Sequence, residues 1–123
     1  MKTALFLAAS LALICPTAHA YEVESGAVTI CDTQSQVERY AQLFDGNPQV
    51  AIRAVNTEQH DPNACALVDV SYVQGPHLGV ARGSSHAFQI IPIVVVGVST
   101  PNGYRPAKPA LFFMPVKIAE LAV

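Results

Sequence analysis

Residues 88–98 have the sequence Phe-Gln-Ile-Ile-Pro-Ile-Val-Val-Val-Gly-Val, the longest apolar run outside the extreme N-terminus. The run is too short for a membrane-spanning helix, which needs about 20 apolar residues. Isoleucine and valine dominate it, and such β-branched side chains fit a pleated sheet better than a helix. The stretch therefore predicts a buried strand, and the rest of the chain is expected to pair with that strand and cover it.

Two prolines indicate that the sheet around this strand is short and interrupted. Pro92 lacks the amide donor that a central strand needs, so we expect an edge or a bulge at that point. Pro115 has the same consequence for the last predicted strand. Alternating or continuous apolar patterns predict the other strands at 21–30, 66–73, 78–81 and 111–120.

Between the first two strands the pattern becomes helical. Thr33-Gln34-Ser35-Gln36 matches a capping box, and an apolar stripe with helical spacing follows it. Asp45-Gly46 is suited to end that helix, and Asn47-Pro48 to start a second one that runs to about Asn56. We therefore predict an α+β domain in which a helical hairpin packs on a small, twisted, mainly antiparallel sheet. The predicted core residues are Val37, Tyr40, Phe44, Val50, Val68, Val70, Ile91, Ile93, Val95, Phe112 and Val116.

The N-terminus has the pattern of a secretory signal peptide. Lys2 supplies a positive charge, an apolar segment follows at 4–14, and Ala18-His19-Ala20 offers a small-x-small cleavage site. We expect residues 1–20 to be removed and residues 21–123 to form one domain. A retained membrane anchor is disfavoured because the apolar segment is shorter than a bilayer is thick. A lipoprotein attached at Cys15 is the other alternative, and the bulky Ile14 before it argues against that.

Cleavage would leave two cysteines, Cys31 and Cys65. In an exported chain an even pair predicts a disulfide, which would clamp the start and the end of the helical segment onto the sheet. On the chain-entropy model such a bridge stabilises the fold by roughly 3 to 4 kcal/mol. A free thiol or a metal ligand is the alternative, but the chain has no Cys-x-x-Cys spacing to support a metal site.

The charge argues against nucleic acid as a partner. The chain carries nine acidic and seven basic residues, a net charge of −2, and loss of Lys2 makes it −3. A nucleic-acid-binding face would be basic. Acids predominate before residue 71 and bases after it. The two halves either solvate their own faces or present an electropositive sheet face to an acidic partner.

Few residues suggest a site. His77 and His86 flank a possible hairpin and, with Asp69, are the candidate metal ligands, although their spacing matches no zinc pattern. Arg82 and Arg105 lie in predicted loops and are the candidate binding residues. Neither a nucleophile elbow nor a phosphate-binding loop occurs, so we identify no catalytic residue, expect no cofactor, and lean towards a protein that is not an enzyme.

The stretch Ile30-Cys31-Asp32-Thr33-Gln34, the segments that lead to Cys65, and the Val95–Val98 and Phe112-Phe113 stretches resemble a group of small exported alphaproteobacterial proteins without an assigned function. The resemblance covers most of the chain after residue 20. It implies one domain in the cell envelope or outside the cell, and it brings no catalytic residue with it.

Two hypotheses about function follow. The first is a small exported binding or interaction module whose partner is an envelope or extracellular protein, periplasmic or secreted, with no membrane span after cleavage. The second is a metal- or small-ligand-binding protein that uses His77 and His86. The oligomeric state does not follow from the sequence.

Overall fold

The computed structural model of the protein describes residues 22–120, the last two by their backbone alone. The predicted signal peptide lies outside the described residues. In chain order the elements are β1 (Val23–Cys31), α1 (Gln34–Leu43), α2 (Pro48–Gln59), β2 (Cys65–Gln74), β3 (Gly79–Arg82), β4 (His86–Thr100) and β5 (Gly103–Glu120). Every strand pairing is antiparallel, so the predicted α+β class is confirmed.

Four of the strands close into a ring. β1 pairs along its whole length with β2, β2 pairs with the second half of β4, and β4 pairs with β5. The ring closes where β5 returns to β1, and there a single residue pair, Cys31 with Phe113, joins the two strands. The short strand β3 lies outside the ring and pairs with residues 87–90 of β4.

Pro92 lies where β4 changes its neighbour. The same edge of β4 pairs with β3 before this residue and with β2 after it. The Pro92 carbonyl accepts a hydrogen bond from the Gly75 amide at 2.8 Å. Because the N–H and C=O of an extended residue point the same way, the missing donor of Pro92 faces the gap between β2 and β3. The predicted interruption at Pro92 is therefore confirmed.

The buried side chains form two clusters on opposite faces of the sheet. One cluster combines helix and strand residues: Cys31, Val37, Tyr40, Ala41, Phe44, Ala51, Ile52, Val55, Cys65, Ala81, Phe88 and Ile90. The other lies inside the ring of strands: Ile30, Val70, Tyr72, Ile91, Ile93, Val95 and Met114. Three predicted core residues, Val68, Phe112 and Val116, are only partly buried at the margin of this second cluster.

The prediction that Val50 belongs to the core is wrong. Its side chain is 43 % exposed, whereas Ala51, Ile52 and Val55 of the same helix are buried. Since consecutive residues of a helix are about 100° apart, Val50 lies at least that far around the axis from each of the three. The buried Ile52, which was not predicted, occupies the inward face instead.

Two predicted boundaries are also wrong. α2 continues to Gln59 and ends at His60, which adopts the left-handed conformation with φ 54°. β5 begins at Gly103 and not at Leu111. This first part of β5 contains Pro106 and Pro109, which an edge strand tolerates because it has a neighbour on one side only.

The predicted disulfide between Cys31 and Cys65 is confirmed. The two residues are directly opposite each other on β1 and β2, with Cα atoms 4.0 Å apart. The Asp32 amide donates to the Ala64 carbonyl, so the backbone groups of Cys31 and Cys65 point away from each other. Cys65 bonds instead to the side chain of Asn56, which accepts from its amide at 2.8 Å and donates to its carbonyl at 2.9 Å. Asn56 thus takes the place of a neighbouring strand and holds α2 against β2.

We expect Asn56→Ala to lower the free energy of unfolding by about 1 to 3 kcal/mol, because it leaves the part-buried amide and carbonyl of Cys65 unpaired. Urea denaturation of the oxidised protein measures the change. Asn63→Ala, which alters an exposed side chain in the loop between α2 and β2, is the matched control and is expected to change little. Equal stability of the two variants would contradict this role of Asn56.

The turn between β3 and β4 touches the backbone of α1. A Cβ atom at Gly83 would overlap the carbonyl oxygen of Ala41, whereas a Cβ atom at Gly79 would meet nothing within 4 Å. We expect Gly83→Ala to lower the free energy of unfolding by about 1 to 3 kcal/mol, because either α1 or the turn must shift. Gly79→Ala is expected to change the free energy of unfolding by no more than about 0.5 kcal/mol. Thermal unfolding of both variants tests this, and a Gly83→Ala protein as stable as the parent would contradict the packing described.

Candidate functional site

His77 and His86 do not come together. In the β3–β4 hairpin Arg82 is opposite Ala87, and Gly79 is opposite Ile90. His86 therefore lies beside the turn and His77 beyond the other end, at least about 13 Å away along the strand at 3.3 Å per residue. Among residues 22–120, no three or more His, Cys, Asp or Glu side chains are close enough together to hold a metal ion.

His86 is part of the helix-side core. Its ring is buried and meets the Phe44 ring edge-on, with centroids 4.9 Å apart. Its Nδ1 atom lies 2.7 Å from the hydroxyl of Ser85. Phe88 and Tyr40 continue the same aromatic cluster. These contacts join the start of β4 to α1, which is a structural role.

Asp69 lies far from both histidines and has a different partner. The Tyr104 hydroxyl donates a hydrogen bond to its carboxylate, with an oxygen-to-oxygen distance of 2.6 Å. This hydrogen bond is the main reason why the pKa of Tyr104 is raised, and desolvation and the carboxylate charge add to it. The contact ties the tip of the β4–β5 hairpin to β2.

Arg82 and Arg105 are both exposed but do not share a surface. Arg82 is opposite Ala87 and Arg105 is opposite Val98, near the two ends of β4. Eleven residues of strand correspond to about 36 Å. The two arginines can contribute to separate surfaces and not to one site.

One feature of the surface is a row of aliphatic side chains that we call the outer apolar row: Val23, Val73, Val94 and Leu111. The pairing register places Val23 opposite Val73, Val73 opposite Val94, and Val94 opposite Leu111. Directly opposed residues project from the same face, so the four side chains form a line across four strands. Val23 is 60 % exposed, Leu111 59 % and Val94 38 %.

The outer apolar row lies on the same face of the sheet as the two helices. Along β4, the helix-side core residues Phe88 and Ile90 and the exposed Val94 alternate with residues that point into the ring. The helix cluster contains Cys31, Cys65 and Ile90, which are at one end of the sheet. The helices therefore cover part of this face and leave the outer apolar row open to solvent.

The second exposed feature is a cleft between β1 and β5, which we call the seam cleft. It has a volume of about 370 Å³ and separates residues 27–29 of β1 from residues 114–116 of β5. Leu67, Tyr72 and Gln74 of β2 complete its lining. The cleft begins next to the Cys31–Phe113 pair, where the two strands part.

Pro115 explains why the strands part there. The Leu78 amide donates to the Ile90 carbonyl, so the backbone groups of Ile90 face β3 and point away from β5. Pro115 is opposite Ile90 on β5, and its backbone groups therefore point away from β4, towards β1. Continuing the register from Cys31 and Phe113 places Thr29 opposite Pro115. Proline has no N–H to offer the Thr29 carbonyl, so the β1–β5 ladder ends after one pair.

A polar depression of about 470 Å³ lies at the C-terminal end of α2. Its lining residues are Arg53, Asn56, Thr57, His60, Asp61 and Pro62. Asn56 is already bonded to Cys65 on its inner side. The depression is thus the outer surface of the junction between α2 and β2.

In comparisons with known proteins, no family model, no curated protein and no solved structure matches the chain. Neither of the two helices in the described part of the chain is long and apolar enough to cross a membrane. The outer apolar row and the seam cleft were not predicted. Both arise from pairing between distant strands, and the only local signals are Val94 within the central run and Pro115 within β5.

Proposed function

We propose that the protein is a small exported, non-catalytic binding module of the cell envelope, which contacts a partner protein through the outer apolar row. The observation that carries the proposal is the alignment of four aliphatic side chains across four strands, of which Val23, Val94 and Leu111 are exposed and Val73 is partly buried. Contiguous exposed apolar surface on a small domain is characteristic of interaction sites. In this proposal the two helices form a hairpin that packs on part of the same sheet face and leaves the outer apolar row open to the partner.

The expected partner surface is apolar at its centre and polar at its rim. The row is flanked on the same face by the exposed residues Ser25 and Asp69, which can hydrogen-bond at such a rim. The row is small: four side chains bury only a few hundred Å² in a complex, well below the roughly 1,200 Å² of a stable interface. The proposal is therefore a transient complex or one that uses further surface.

Export is supported by two observations that are independent of each other. The N-terminal sequence has the order of a signal peptide, and Cys31 and Cys65 are joined in a buried disulfide, a bond that persists in oxidising compartments. A periplasmic or secreted location agrees with both.

The mass of the protein isolated from its own host without reductant tests export directly. We expect a polypeptide that begins at Tyr21 and lacks the two hydrogens of the disulfide. A full-length mass with both thiols reduced would contradict export.

Photo-crosslinking in the host tests the binding surface. A photoreactive amino acid at Leu111 or at Val94 is expected to give an adduct of one defined mass, because both side chains lie on the outer apolar row. The same amino acid at Val50, an exposed aliphatic position on α2, is the matched control and is expected to give no such adduct.

A second variant separates binding from folding. Val73→Lys is expected to remove the adduct formed from Leu111, while the unfolding midpoint stays close to that of the parent because Val73 is only partly buried. Val50→Lys is expected to leave the adduct unchanged. Adducts from all three probe positions, or from none of them, would contradict the proposed surface.

A further inference from the structure

The seam cleft has the features of a site for an added strand. β1 is paired on one edge with β2, and on the other edge, within residues 22–120, it meets β5 only at Cys31. Since the backbone groups of Cys31 face β5, those of Thr29, Ala27, Ser25 and Val23 face the same way, two residues apart. From Thr29 back to Val23, β1 thus presents a row of backbone donors and acceptors that β5 does not pair with.

The opposite wall cannot close this gap by itself. Pro115 interrupts the edge of β5 at the position opposite Thr29. The gap is instead lined by apolar groups that continue the core inside the ring, because Val28, Met114 and Val116 belong to that cluster or pack against it. A strand that entered the cleft would find backbone partners on β1 and an apolar floor beneath alternate side chains.

The charges next to the cleft indicate which kind of strand fits. Glu22 and Glu24 are exposed at the open end of β1, and Glu24 is directly opposite the cleft residue Tyr72. Burial raises the pKa of Tyr72, and the charge of Glu24 adds to that increase. Among the described side chains the ion pair is Arg39 with Glu58, so neither glutamate has a basic partner there. Lys117 of β5 is not among the residues that line the cleft, and it lies on the outer face of the strand with Phe113.

We infer that the seam cleft binds an extended segment of a partner polypeptide, with alternating apolar side chains and a basic end, as an added strand along β1. Backbone hydrogen bonds to β1 would provide affinity, and alternate side chains would provide specificity. A second copy of the same chain is the less suitable occupant, because its β1 edge would bring two more glutamates to an acidic end.

The probe is a short synthetic peptide, blocked at both ends, in which Val and Thr alternate and two Lys follow. Fluorescence anisotropy with the purified protein is expected to show saturable binding. Two matched peptides are expected to bind at least about tenfold more weakly: one with Glu in place of both Lys, and one with alternate backbone amides methylated on the β1-facing edge.

Two variants on opposite walls locate the site. Ala27→Pro removes one β1 donor that faces the cleft and leaves the hydrogen bonds between β1 and β2 intact, so it is expected to weaken binding about tenfold.

Pro115→Val supplies the missing N–H, which allows β5 to pair with Thr29 and close the cleft. It is expected to weaken binding without lowering the unfolding midpoint. Pro109→Val, at an exposed β5 proline away from the cleft, is the matched control and is expected to bind like the parent.

Absence of saturable binding, or equal binding of the methylated peptide, would overturn the inference. Binding unaffected by both Ala27→Pro and Pro115→Val would overturn it as well. Concentration-dependent dimerisation that Ala27→Pro abolishes would assign the edge to a second copy instead. These results are separate from the test of the outer apolar row, because crosslinking from Leu111 does not depend on the seam cleft.

Discussion

The structure depends on the junction at Cys31. This residue pairs with Cys65 through the disulfide and with Phe113 through the single β1–β5 pair, and α1 begins three residues later. The disulfide closes a loop of sequence separation 34 that contains both helices. On the chain-entropy model it stabilises the fold by roughly 3 to 4 kcal/mol, because it lowers the entropy of the unfolded chain. One position therefore fixes where the helical segment leaves the sheet, where it returns, and where the ring of strands closes.

Asn56 completes this junction from the side of the helices. Because the backbone groups of Cys65 point away from β1, the edge of β2 would have an unpaired donor and acceptor at the point where the disulfide is buried. A side-chain amide offers both an acceptor and a donor and satisfies the pair with two bonds of 2.8 and 2.9 Å. The arrangement makes the position of α2 depend on the backbone of β2 as well as on apolar packing.

The two strand prolines have related effects at different places. Pro92 has its missing donor on the edge where β4 exchanges β3 for β2, and Pro115 has it on the edge that faces β1. In both cases a ladder stops at the proline. At Pro92 this allows a second strand to join the same edge. At Pro115 it limits the contact between β1 and β5 to the one pair that closes the ring, and the seam cleft is the consequence.

Local signals in the sequence determined several features of this protein. The capping box at Thr33 and the Asn47-Pro48 start signal are both present as predicted, because caps depend on neighbouring residues alone. The apolar run at 88–98 is the central strand, and the cysteine pair is the disulfide.

What only the tertiary structure decided is the register between strands that are distant in the chain. Val23, Val73, Val94 and Leu111 each alternate normally within their own strands, and only the pairing brings them into one line. In the same way, Pro115 is an ordinary edge proline until the ring brings β1 opposite it.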